Sequence, residues 1–554
     1  MADVIVDRKP NIWDKVHSHL EILSIREKDI RFFLSSPYRI GLILLFTVLF
    51  LPHAFIMVED ISLVRAFEMD PGSIVASIES LYHRDSFYNM NAPYHPRFYG
   101  WAYYWINFIL AAPGYFLMRL GVLEGPGLFV VLIRLILFGI GLAFVLAYFE
   151  VARRVLKHNL LALVACLLCM ASPVVSYFFY FIHPETTGLL FLFLALLCLL
   201  KFNEGSARDS RWYTFALLFL TLSVLSKHPF ALAALPVLFL FLYVYCYYHN
   251  ISVFRFMLSK QFWRVLLGSL ILSVLIFFII NPFAFLQPRT FLSNQIYLFS
   301  GHSQGVLSEA EAIKKWLDIL RDMPIIWISL LLAPLSLLGA SLFGDQKVNK
   351  IMYITNLLGA VFFTFFNVMS IRYIIYNGYL APIYPFFILN ILGVALFIVR
   401  KWNMGLQKLI TLSVLTIFLS FVFIKDTSVS LPLQWNRLRY QDSLAYQSYK
   451  YIEANIPDGK RIAHDHFVAV PHQRDLKGCH YSSEGCGTDY IEEFRPHYII
   501  FDPNWTSADV GVLQRLRARM IKYIDDHDFV LIDTIGPYNG SYLQVWKKPR
   551  DSNK

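Results

Sequence analysis

Apolar runs of about 18 to 22 residues recur along the chain, beginning with Ile40–Val58, and short polar clusters interrupt them. Each run is long enough to cross a hydrocarbon core roughly 30 Å thick. Three stretches, Leu160–Leu200, Trp212–Tyr248 and Ile351–Val399, are too long for a single crossing. At 1.5 Å per residue they extend to roughly 55 to 70 Å, about twice the core. Each is therefore expected to be a hairpin that turns at its polar cluster: His183-Pro184-Glu185, Lys227-His228-Pro229 and Arg372-Tyr373.

The far ends of these hairpins carry Arg153, Arg154 and Lys157; Lys201, Arg208 and Arg211; Arg255, Lys260 and Arg264; Lys347 and Lys350; and Arg400, Lys401 and Lys408. Basic loops stay cytoplasmic, which sets these ends and the basic leader inside and the polar clusters outside. Tyr99–Leu117 looks like a further span, but a full crossing there would export every later basic loop. It is expected to lie on the outer surface or to re-enter it. Eleven spans follow, near 40–58, 127–149, 159–181, 186–201, 212–226, 229–248, 265–282, 324–343, 351–371, 378–399 and 409–424.

The expected fold is a polytopic α-helical membrane protein of about 11 transmembrane helices with a small C-terminal extracytoplasmic α/β domain. Residues 1–37 form a cytoplasmic leader in which Ile12, Trp13, Val16, Leu20 and Leu23 recur at helical spacing, as in a helix on the membrane face or a solvated one. Residues 38–431 form the transmembrane domain, with a first outer loop over 59–126 that holds the surface helix. Residues 432–554 form the tail: a helix over Tyr440–Asn455, a turn at Pro457-Asp458-Gly459, strands at Arg461–Val470, His497–Phe501, Phe529–Thr534 and Tyr542–Trp546, and a helix over Ala508–Asp525.

Composition agrees with a membrane protein: of 554 residues, 57% are hydrophobic and only 16% charged. The net charge of +10 falls in short loops beside spans, so topology accounts for it and no nucleic acid is called for. The first apolar run lacks a small-residue cleavage site and is read as an uncleaved anchor. Cys166, Cys169, Cys198 and Cys246 sit in apolar runs as small core residues. Cys479 and Cys486 lie in the polar tail and are open to two readings, a local disulfide or free thiols, while a zinc site with His480 lacks the usual second pair of ligands.

Glu59, Asp60, His95, Arg97, His183, Glu185, Lys227, His228, His302, Arg372 and Tyr373 all fall on the outer side. Singly, each has an ordinary reading: acids marking the end of a span, a lysine reaching for headgroups, histidines in loops. Ionisable residues at depth cost roughly 2.5 to 3.5 kcal/mol each, so their shared side points to a functional cavity. Displacement of a lipid-phosphate leaving group wants such a set: a carboxylate takes the nucleophile's proton and cations stabilise the charge growing on phosphate. Neither a P-loop nor a Gly-x-Gly-x-x-Gly occurs, against ATP-driven transport or direct use of a nucleotide sugar.

The motif order resembles the GT-C glycosyltransferases, in the branch of protein O-mannosyltransferases and the lipid A aminoarabinose transferase. The resembling pieces are Glu59-Asp60, Tyr94-His95-Pro96-Arg97-Phe98-Tyr99, Ala171-Ser172-Pro173, His183-Pro184-Glu185, Leu225-Ser226-Lys227-His228-Pro229, Arg372-Tyr373 and Tyr451–Gly459. The resemblance implies a sugar donor on a polyprenyl phosphate and inverting transfer on the outer face. It implies a base at Asp60 or Glu59, with Lys227 and Arg372-Tyr373 facing donor phosphate. Relatives often have His-Pro-Pro at His95-Pro96-Arg97, Arg-Pro-Asp at His183-Pro184-Glu185 and Lys-Gly at Lys227-His228, so the sugar and acceptor stay open.

The expected protein is a polyprenyl-phosphate-dependent glycosyltransferase of the plasma (inner) membrane, its amino end cytoplasmic. Asp60 and Glu59 are the catalytic candidates, and His95, Arg97, Tyr99, His183, Glu185, Lys227, His228, His302, Arg372 and Tyr373 the substrate-binding ones. Its partners are the lipid-linked donor, a lipid, glycan or protein acceptor, and membrane lipids. No cofactor is expected; a divalent metal is not predicted, although Glu59, Asp60 and Glu185 are a set that can hold one. The alternatives are a flippase or transporter without chemistry and a ligase acting on pyrophosphate-linked oligosaccharides.

Overall fold

The computed structural model describes residues 36–67, 69–83, 101–123, 127–205, 210–227, 230–293, 380–401, 405–465, 468–471, 475–480, 493–503, 520–538 and 541–549, with short pieces at 296, 310, 314, 317–318, 324–326, 328–329, 332 and 491. The chain forms two compact units, 1–49 and 50–554. In the first, the described part is the helix α1, Pro37–Phe50, as far as Leu49.

The second unit is mostly helical, and its helices end where the polar clusters lie. After a 3-10 turn at Leu51–Phe55 come α2 (Ile61–Phe67) and α3 (Met69–Ser80), then α4 (Trp101–Arg119), α5 (Leu128–Leu156), α6 (Asn159–Ala171) and α7 (Pro173–Tyr180). They are followed by α8 (Glu185–Glu204), α9 (Ser210–Ser226), α10 (Ala231–Tyr248), α11 (Lys260–Ile280), α12 (Tyr384–Lys401), α13 (Gly405–Leu438) and α14 (Leu444–Asn455). Two of the expected hairpin turns coincide with helix ends, because α8 begins at Glu185 and α9 stops just before Lys227.

Among the described residues five helices are long and apolar enough to cross a membrane: Pro37–Phe55, Leu128–Leu156, Glu185–Glu204, Lys260–Ile280 and Leu412–Leu438. The expected span 159–181 is a bent pair, α6 and α7 meeting at 73°. Pro173 supplies the reason: it offers no N–H and forces Ser172 into extended backbone, ψ 124°. Counted as one, that pair raises the number to six. Shorter apolar helices at Val237–Tyr248 and Tyr384–Leu396 fall inside the expected spans 229–248 and 378–399. The span expected at 351–371 and most of that at 324–343 lie outside the described residues.

Helix α4 occupies the stretch read as a surface helix, and it is not among the helices apolar enough to cross. Its first half is buried through Trp101, Tyr103, Tyr104 and Asn107, while Ile109, Leu110 and Phe116 are exposed. The Trp105 indole donates to the Ile280 carbonyl at the end of α11, 2.7 Å away. Tyr82, just beyond α3, stacks on Tyr115 at 4.0 Å.

The tail builds a five-stranded sheet in the order β2-β1-β3-β5-β4 from β1 (Arg461–His464), β2 (Lys477–His480), β3 (Tyr498–Phe501), β4 (Val530–Tyr538) and β5 (Ser541–Lys547). β1 runs parallel to β2 and β3, with Ile462 opposite Gly478 and Tyr498; β5 is antiparallel to β3 and β4. All four residues of β3 are buried, as in a strand covered on both faces. Leu444 and Ile452 of α14 pack with Ile462, Ile500 and Val545 on one face; Ile499 and Phe501 meet Met520, Tyr523 and Ile524 on the other. The expected strands at the first, third, fourth and fifth places are present, shortened or extended by a few residues, and β2 is an addition. Of the helix expected over Ala508–Asp525, residues 520–525 are described and helical.

Helix α14 is shared. One side faces the sheet, while Ala445 and Tyr449, four positions apart, join Tyr440 in an apolar cluster with Ile56, Met57, Leu63, Val64, Trp101, Tyr103, Phe129 and Ile182. That spacing is the helical one, so a single helix ties the sheet to the helical body.

Candidate functional site

The turn that delivers Glu59 and Asp60 is sterically determined. Met57, fully buried, takes a left-handed φ of 55°, uncommon for a residue with a side chain. Val58 then passes against Gly127, where an added Cβ would collide with the Val58 carbonyl. Only glycine allows this approach. Asp60 is 1% exposed and accepts the Ser62 backbone N–H at 2.8 Å, as an N-cap of α2 does. That bond fixes the carboxylate's orientation.

Glu59 accepts a hydrogen bond from the Tyr440 hydroxyl, contributed from between α13 and α14. Burial, and then the hydrogen bond to Glu59, push the Tyr440 phenol well above its ordinary value, so it stays a donor. Tyr449 is raised by burial and then by the charge of Asp60. Both acids therefore face phenols of the tail.

A second polar group lies at the start of α8. Glu185, with no exposed surface, pairs with Lys227 through one oxygen and with the His183 Nδ1 through the other. Phe178 and Phe181 flank the imidazole at 5.5 and 6.1 Å. A buried carboxylate is tolerated when its oxygens are met in this way. Gly188, one turn on, admits the Phe230 ring, which a Cβ would meet at 2.6 Å, and its carbonyl accepts the Ser223 hydroxyl at 2.8 Å. Tyr103 of α4 reaches the same place: burial raises its phenol first, then Tyr104 and the Glu185 carboxylate.

Three residues missed by the sequence reading form a further polar cluster. His53 is 1% exposed and stacks on Tyr180 at 4.8 Å, with Arg437 over the other ring, 5.0 Å from the Tyr180 centroid. Arg134, 2% exposed, donates to the Ile56 carbonyl, and both arginines are electrostatic neighbours of His53. Arginine inside an apolar run, as Arg134 is within Leu128–Leu156, was the signal available in the sequence. Tyr180 and His183 are three positions apart, which the chain cannot stretch beyond ~11 Å. The segment 180–185 thus joins the cluster of His53 and Arg437 to the Glu185–Lys227 pair.

Of the twelve expected site residues, Glu59, Asp60, His183, Glu185 and Lys227 are described. The last three are brought together, and Glu59 and Asp60 stand beside each other at the tail's phenols. His95, Arg97, Tyr99, His228, His302, Arg372 and Tyr373 lie outside the described residues, as does Cys486, so the disulfide reading stands as it was. Cys166, Cys169, Cys198 and Cys246 are buried and free, as expected of core thiols.

Residues 114–277 match the family model of dolichyl-phosphate-mannose-protein mannosyltransferases. The matched segment takes in His183, Glu185 and Lys227 and the apolar helices Leu128–Leu156 and Glu185–Glu204, and it is similar there to membrane glycosyltransferases of the GT-C type. It does not extend to Glu59 and Asp60. Among solved structures, the apo oligosaccharyltransferase of Archaeoglobus fulgidus is 11% identical with a TM-score of 0.40, covering 85% of this chain and 70% of its own. The oligosaccharyltransferase AglB of the same organism, in complex with an inhibitory peptide and a dolichol-phosphate, is 12% identical with a TM-score of 0.39, covering 94% and 75%. Likenesses this distant carry no argument about activity. No curated protein sequence matches the chain.

Proposed function

We propose that the protein transfers a sugar from a polyprenyl-phosphate donor to an acceptor at the extracytoplasmic face of the plasma (inner) membrane, by inverting displacement. The observation that carries this reading is the pair of oriented acids, Glu59 and Asp60, three and four positions after Ile56, whose carbonyl accepts from the buried Arg134, itself a neighbour of His53 together with Arg437. Asp60 takes the proton from the acceptor's hydroxyl or amine as the new bond to the anomeric carbon forms; the donor phosphate leaves with the electron pair of the broken bond. Glu59, locked by Tyr440, orients the acceptor.

Lys227, paired with Glu185, faces the donor phosphate from that pair. The phosphate's charge is then met by Arg134 and Arg437, helped by Arg97, His302 and Arg372-Tyr373 as expected contacts. His95, Tyr99, His183 and His228 line the sugar and acceptor. A monophosphate needs no obligatory metal where arginines neutralise it. The acceptor is a lipid, glycan or protein chain, and the amino end is cytoplasmic.

The experiment is transfer from radiolabelled polyprenyl-phosphate sugars to a membrane extract by purified wild type and Asp60→Asn. Wild type transfers and the variant does so at least a hundredfold more slowly. Equal transfer by both removes Asp60 as the base, and transfer by neither leaves a carrier. Complete loss of wild-type transfer on chelation of divalent ions would overturn the metal-independent mechanism.

A further inference from the structure

At the opposite end of α5 from Arg134, a cleft of about 410 Å³ is lined by Arg153, Arg154, Lys157, Asn159 and Glu204. A volume of that order suits a small ligand. The charges in and around it do not cancel. Glu150 holds both Arg153, at 2.6 Å, and Arg154, at 2.7 Å; Glu204 holds Arg154, at 2.6 Å, and Lys201, at 3.6 Å. Three cations thus share two carboxylates. Lys157 has no ion-pair partner among the described residues, and its left-handed φ of 51° turns the chain sharply from α5 into α6.

The ordinary reading of such a cluster is complementarity to the negative end of α5 together with the positive-inside bias. Two features go beyond it. The two carboxylates hold the guanidinium groups in place around a cleft instead of letting them spread into solvent. Immediately beside the cleft, Leu160 is 51% exposed, an apolar side chain facing outward where the cations end. Fixed cations next to an outward apolar contact match a molecule with a phosphate head and a hydrocarbon body.

We infer that this cleft binds the phosphate of an anionic phospholipid, with Lys157 and Arg153 as its principal ligands and Leu160 against the first methylenes of an acyl chain. The site is separate from the proposed transfer chemistry and does not depend on it. It lies on the side that the basic loops assign to the cytoplasm.

The test uses the full chain in detergent, with retention of phosphatidylglycerol and phosphatidylcholine measured by native mass spectrometry. Wild type retains phosphatidylglycerol in preference to phosphatidylcholine. Lys157→Gln and Arg153→Gln each weaken that preference about fivefold, the effect of one cation near a headgroup, and Lys157→Arg keeps it. Lys260→Gln, which removes an exposed cation outside the cleft, leaves it unchanged. An equal fall in Lys260→Gln means diffuse attraction and overturns the site. Displacement of phosphatidylglycerol by millimolar inorganic phosphate would show that a free anion suffices and overturns the lipid assignment. Unchanged melting temperatures of the variants in lipid-free detergent establish that the substitutions leave the fold intact.

Discussion

The Tyr440 hydroxyl donates to the Glu59 carboxylate across 381 positions of sequence. The residue that follows the first apolar run is thereby held by a residue of the tail. The α14 helix reinforces the contact by burying Ala445 and Tyr449 against Met57 and Leu63.

Tyr440→Phe removes this bond and leaves a half-buried carboxylate short of one donor. A hydrogen bond to a charged group is worth about 1.5–3 kcal/mol, so the rate of sugar transfer should fall by about tenfold or more while the amount of folded protein is preserved. Transfer at the wild-type rate, with the variant folded, would mean that Glu59 needs no orientation from the tail.

Breaking the Glu185–Lys227 pair on one side strands a charge. Lys227→Met is expected to cost about 3–5 kcal/mol, the usual effect of removing one partner of a buried ion pair. The double substitution Glu185→Gln/Lys227→Met should cost less than the sum of the two single ones. Additive shifts in thermal unfolding would show that the two side chains do not depend on each other.

Gly127→Ala places a Cβ against the Val58 carbonyl. The backbone must move, at a cost of about 1–3 kcal/mol, and the displaced Val58 carries Glu59 and Asp60 with it. Gly139→Ala is the internal comparison: nothing stands within 4 Å of its Cβ, and in mid-helix it should stabilise by about 0.5–1 kcal/mol. Equal melting temperatures for the two variants would contradict the close approach.

Acid should loosen the sheet before the helices. Burial holds the His464 imidazole down at about 4, and burial, then Lys460, Arg461 and Lys548, lower His497. The folded state therefore binds fewer protons than the unfolded one, so this stability is complete above about pH 6.5 and is lost as pH falls toward 4. Hydrogen exchange in peptides covering β1 and β3 should accelerate across that window, and pH-independent protection there would refute the assignment.

Much of the helical pattern could be read from the chain because lipid demands length and apolarity in plain sequence terms. Helix ends at Glu185 and Lys227 were readable since a charge and a proline stop an apolar run. The bend at Ser172 was less so, although Pro173 stood in the sequence: a proline both kinks and starts helices, and only packing decides which. β2 escaped notice because Lys477-Gly478-Cys479-His480 lacks alternation, and its place at the sheet edge comes from pairing with β1. The Glu59–Asp60 pair was visible from its position after a span. Arg437, Tyr440 and Tyr449 were not, because contacts between residues hundreds of positions apart leave no local trace.

Six consecutive residues, 180 to 185, touch both halves of the polar interior. This makes the segment a ruler. Loss or gain of a single residue within it would rotate Tyr180 away from His53 while Glu185 stayed with Lys227, separating the arginine cluster from the paired carboxylate. Diversification toward other sugars or acceptors can act on the walls around this segment, whereas its length is set by the need to serve both ends at once.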